Sequence, residues 1–130
     1  MRVAITGDRN WPNAHAIARA LMTLNPATDY VVLGDARGAD RFARESCQAL
    51  GLFHRVHCAD WRKHGPAAGP IRNAAMLNDL QASGDNQEVW YFHDDLQNSV
   101  GTRNCVEQAR RRGLTVRDGC KLGDGNDAAT

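Results

Sequence analysis

The residues able to do chemistry fall into four short stretches. The densest is Gly34-Asp35-Ala36-Arg37-Gly38-Ala39-Asp40. Gly34 and Gly38 allow another group to approach the main chain closely. Arg37 brings a permanent positive charge and a planar fork of donors. Asp40 can accept from a sugar hydroxyl or orient Arg37. A helix opening here would aim unpaired N–H groups and its positive dipole end at an anion, most often a phosphate. An ordinary strand-to-helix turn explains the same residues. Gly7-Asp8-Arg9 repeats the pairing of glycine and cation, and its two charges also read as a solvated turn pair. Arg72 and Asn73 are expected in the first turn of a helix, where a cation opposes the dipole. A residue that works against a local rule hints at a ligand. His93, Ser99, Gly101 and Thr102 add an imidazole, two hydroxyls and further backbone N–H groups.

Other chemistries are weaker. Asp8, Asp35, Asp40, Asp94 and Asp95 with His93 carry the donors that Mg²⁺ takes beside a phosphate. Carboxylates are equally ordinary as turn and cap residues, so neither a metal site nor a cofactor is expected. Cys105 or Cys58 with His93 or His57 would make a nucleophilic pair, but Cys105 falls on an apolar helix face and reads as core. Trp61 offers a face for a base and Lys63 or His64 a contact for phosphate; alternatively Trp61 caps the sheet edge and the charges are solvated. Arg110, Arg111 and Arg112 suit a helix C-terminus.

The elements that must position these groups follow one cycle of strand, glycine turn and helix. Strands are predicted over Arg2–Thr6, Tyr30–Leu33, Leu52–His57, Glu88–Phe92 and Leu114–Val116. Helices are predicted from Pro12 towards Asn25, over Ala39–Leu50, from about Pro70 to Leu80, and from a cap at Asn98 or Ser99 to Gly113. The segment Cys58–Pro70 is the longest irregular stretch. Five strands alternating with four helices predict an α/β fold: a Rossmann-like, doubly wound, five-stranded parallel sheet in the order 3-2-1-4-5, with helices on both faces. Ligands in such sheets sit above the strand C-termini where the order reverses, and all four stretches fall on that edge.

At 130 residues the chain is expected to form one domain over 1–118, with a disordered tail over 119–130. A weaker reading is single-stranded DNA binding, against which a net charge of +1 and the lack of a basic stripe argue. No apolar run approaches the roughly 20 residues of a membrane helix. Cys47, Cys58, Cys105 and Cys120 have no Cys-x-x-Cys spacing. With no leader ahead of the first strand, they read as reduced thiols of a cytoplasmic protein.

Thr6-Gly7-Asp8-Arg9, Gly34–Asp40, Gly69-Pro70-Ile71-Arg72-Asn73 with Met76, and Gly101-Thr102, taken in this order, resemble the SLOG superfamily of small Rossmann-like proteins. The chain looks most like its short YspA-type and YpsA-related branch. The resemblance implies binding of a nucleotide or a nucleotide-derived signal, such as an NAD-derived metabolite, by a sensor or sequestering module. It also implies a homo-oligomer. The lonely-guy phosphoribohydrolases of the superfamily cleave the N-glycosidic bond of nucleoside monophosphates. They use a P-G-G-x-G-T-x-x-E segment whose glutamate works with an arginine four residues before a methionine. Arg72 and Met76 match the second part, but Cys105 stands where the glutamate belongs. Hydrolysis would then need a rearranged acid, such as Asp94, Asp95 or Glu107.

Overall fold

In a computed structural model, which describes residues 1–84 and 86–123, five parallel strands form one sheet in the order β3-β2-β1-β4-β5. They are β1 (Arg2–Gly7), β2 (Tyr30–Gly34), β3 (Phe53–His57), β4 (Gln87–Phe92) and β5 (Thr115–Asp118). The chain is thus a doubly wound α/β protein with the strand order that the sequence predicts. β1 and β2 are buried almost throughout, which explains their charge-free Val-Ala-Ile and Val-Val-Leu runs. β3 lies at an edge and is half exposed, which explains its polar alternation.

Helices α1 (Ala14–Leu21) and α2 (Ala39–Leu50) cover one face. There Ile5, Leu33 and Phe92 pack with Ile17, Leu21 and Cys47. Helices α4 (Ala68–Leu80) and α5 (Gly101–Arg111) cover the other. There Ala4, Val32 and Val89 meet Met76, Leu77, Leu80 and Cys105. Asn13, not Pro12, opens α1: its Oδ1 accepts from Ala16 N at 3.1 Å, and α1 ends at Leu21.

Two predicted segments differ from expectation. Within Cys58–Pro70, Trp61–His64 form a single helical turn, α3, capped by Asp60 Oδ1 accepting from Lys63 N. A 3₁₀ turn, Gly65–Ala67, then leads into α4. One turn is too short to show an apolar period. The second difference lies past β5, where composition predicts a disordered tail. Gly119–Lys121 form a 3₁₀ turn; Gly119 lies against the Phe92 ring, and Cys120 and Leu122 pack on the core. The rest of the predicted tail, 124–130, lies outside the described residues. No helix among the described residues is long and apolar enough to cross a membrane.

Candidate functional site

The four stretches converge on the carboxyl edge of the sheet, and the tightest meeting is over Gly34, the last residue of β2. A Cβ there would overlap Arg72 Nη1 and come within 2.6 Å of Asp40 Oδ2. Glycine therefore lets a guanidinium from α4 and a carboxyl from α2 share the space above one strand end. Arg72 Nη1 donates to Asp35 Oδ1 at 2.8 Å, and Nε donates to Asn73 Oδ1 at 3.0 Å. Arg72 is the fifth residue of α4, not part of its first turn, because the helix starts at Ala68. Its position is set by these partners rather than by a conflict with the dipole. Asn73 is buried and donates from Nδ2 to Gly101 O at 3.3 Å and to Asn104 Oδ1 at 3.2 Å. That fixes the start of α5 against α4.

Asp40 is buried and accepts from Ala36 N at 3.1 Å. Burial pushes its carboxyl up from 3.8 to about 7, with Arg72 and the Ala36 N–H pulling the other way. Asp40 thus lies beside Arg72 over Gly34, and among the described residues no hydrogen bond or ion pair joins it to Arg37. Arg37 is exposed and has no hydrogen bond or ion pair among the described residues. It lines a cavity of about 420 Å³ with Gly34, Asp35, Asp40 and Arg44. It also lines an adjoining, more open hollow with Arg9, Asn10 and Gly38.

Gly38 has φ +73°, and a Cβ on it would overlap the Arg9 carbonyl. The group that approaches Gly38 is therefore the Asp8–Arg9 backbone. Ala39 N donates to Asp8 O at 3.1 Å, and Asp8 N donates to Phe92 O at 2.9 Å. Gly7 is likewise hemmed in by Ala39 and Phe92. His93 Nδ1 accepts from Asp95 N at 2.9 Å, and its Nε2 stands 3.9 Å from Asp8 Oδ2. Ser99 Oγ accepts from Thr102 N at 3.1 Å and so caps α5; Thr102 itself is buried.

Cys105 is wholly buried on α5, its thiol pushed up to about 12 by desolvation and hydrogen-bonded to Thr6. Glu107 pairs with Arg103 at 2.9 Å on the exposed side of the same helix. Among the described residues, no three His, Cys, Asp or Glu side chains gather closely enough to hold a metal ion.

Sequence reasoning missed two members of this arrangement. Asp35 ties two loops together, accepting from both Arg72 and Ala59 N. Asn104 links Asn73 to Gln108, whose Nε2 donates to Asn104 Oδ1 at 2.7 Å. Asp35 was visible inside the Gly34–Asp40 stretch, whereas only the packing of α4 on α5 makes Asn104 relevant.

Residues 1–64 match the family described as "YspA, cpYpsA-related SLOG family". "Gene 61 protein" of Mycobacterium phage D29 is 34% identical over 123 residues, which cover 88% of this chain and 93% of that protein. With a doubly wound sheet carrying both glycine turns, and a relative matched over nearly its full length, the chain belongs to the YspA, cpYpsA-related SLOG family.

Proposed function

We propose that the chain binds a nucleotide or a nucleotide-derived ligand, such as an NAD-derived metabolite, at the carboxyl edge of the sheet, as a sensor or sequestering module. The observation that carries this reading is the Arg72 arrangement. A guanidinium is brought from α4 across the end of β2 and held by Asp35 and Asn73, with only its Nη2 free of hydrogen bonds among the described residues. A pre-oriented cation with one amino group free suits a single phosphate oxygen. The carboxyl beside it is half neutralised near pH 7, which lowers the cost of bringing in an anion. Arg37, on the cavity that also reaches Gly34 and Asp40, supplies a second cation.

Binding without hydrolysis fits these residues better than catalysis. The position that resembles the hydrolase glutamate holds a neutral, buried thiol. Glu107 is engaged with Arg103, and Asp95 accepts from Asn98. The test is calorimetric titration of the protein with adenosine and guanosine monophosphates, alongside Arg72→Ala and Arg37→Ala. A charge-assisted hydrogen bond is worth roughly 1.5–3 kcal/mol, so each variant should bind about tenfold or more weakly. The circular dichroism spectrum should stay the same. Unchanged affinity in both variants would remove these roles.

A further inference from the structure

The described residues include all three tryptophans of the chain, and two of them are spent on the core: Trp11 is 5% exposed and Trp90 2%. Trp61 is 59% exposed. An indole this open to solvent leaves a flat π-face available to an aromatic ring. The indole lies towards α4. It belongs to α3, whose start is capped by Asp60, and a Cβ on Gly69 would stand 3.4 Å from its Cη2. The far edge of the indole therefore faces Gly69, a buried residue of α4 without a side chain.

Gly69 and Arg72 are three residues apart on α4, hence neighbours on one strip of the helix. Asp35 closes the arrangement from the other side. It accepts from Arg72 Nη1 at 2.8 Å and from Ala59 N, two residues before Trp61, at 3.3 Å. One carboxylate therefore fixes both the guanidinium and the loop that carries the indole.

We propose that Trp61 is the base platform of the site: its exposed indole stacks on the flat aromatic ring of the nucleotide whose phosphate Arg72 holds. This rests on the nucleotide-binding reading and adds which part of the ligand meets which wall. Stacking requires a π-face but no particular hydrogen-bond pattern, so the platform would accept any base or a nicotinamide-like ring. Lys63 and His64 follow Trp61 on the same turn.

Trp61 is the one exposed tryptophan, so its fluorescence reports on the platform. The full chain is titrated separately with adenosine monophosphate, guanosine monophosphate and ribose 5-phosphate, and emission and binding heat are both followed. Quenching is expected with the two nucleotides and not with ribose 5-phosphate, which has the phosphate but no base. Trp61→Phe, which keeps an aromatic face, should bind nucleotide within about threefold of the original and show no quenching. Trp61→Ala should bind about tenfold more weakly, with ribose 5-phosphate affinity unchanged. Nucleotide heats that are lost in Arg72→Ala but unaffected in Trp61→Ala, with no quenching, would overturn the platform and leave the binding reading standing. No heat with any of the three ligands would overturn both. A Trp61 emission shift that depends on protein concentration alone would overturn the platform in favour of contact with a second copy.

Discussion

Replacing Asp40 by asparagine tests the electrostatics of the site directly. Asp40 is 5% exposed and its carboxyl is raised from 3.8 to about 7, with desolvation as the leading cause. The folded chain thus holds this proton more tightly than the unfolded chain does. Stability consequently falls as the pH rises from about 4 to about 7, and the loss is complete above that. A rise of about three units corresponds to about 4 kcal/mol by the alkaline end. Asparagine keeps an oxygen to accept from Ala36 N and never ionises, so Asp40→Asn escapes this loss. Urea unfolding at pH 5 and pH 8 gives the difference between variant and original at each pH, in which the other titrating groups cancel. The variant's advantage should grow by roughly 2–3 kcal/mol between the two. Anion binding should follow the same proton: affinity for a nucleoside monophosphate falls above pH 7 in the original and changes less in the variant. A stability difference independent of pH, or an original chain more stable than the variant at pH 8, would refute the reasoning. It would mean that Arg72 compensates the charged carboxylate fully.

Two further outcomes follow from the backbone and from α5. Gly38→Ala should lower stability by about 2 kcal/mol or more, read as a lower urea midpoint, because a side chain at φ +73° is strained and would also strike the Arg9 carbonyl. A midpoint within error of the original would show that the Asp8–Arg9 loop yields easily. Incubation with adenosine or guanosine monophosphate should release no free base by chromatography, since Cys105 supplies no carboxylate and its thiol stays neutral. Turnover abolished by Asp94→Asn or Glu107→Gln would instead establish a rearranged active site.

The sheet was legible because its three central strands are apolar runs ended by Gly7, Gly34 and the polar turn after Phe92, and because parallel crossovers leave few topologies. The buried faces of α4 and α5 were legible in the spacing of Asn73, Met76, Leu77 and Leu80 and of Thr102, Cys105, Val106 and Ala109. What the sequence hid depends on contacts between distant segments. Asp40 reads as a polar residue in a helix's first turn, and only α4 crossing β2 turns it into a buried neighbour of Arg72. Arg72 was singled out for a helix start that lies two residues earlier than Pro70 suggests. Trp61 looked ambiguous because nothing local distinguishes a ring capping an edge from one facing Gly69.

The same contacts change where an anion would be held. A glycine-rich turn opening a helix suggests that backbone N–H groups cradle the phosphate. Here the chain has already used some of them: the first N–H of α2, on Ala39, donates to Asp8 O, and the N–H of Ala36 donates to Asp40. Gly38 makes this possible by admitting the Asp8–Arg9 backbone where a ligand would otherwise come close. Recognition of an anion at the β2–α2 turn would therefore rest on side chains, on Arg72 over Gly34 and on Arg37 at the adjoining cavity. A backbone cradle carries a fixed partial charge, whereas Arg72 sits beside a carboxyl that gains and loses its proton near pH 7. In the proposed site, anion affinity would therefore vary with pH in a way that a simple glycine loop would not produce.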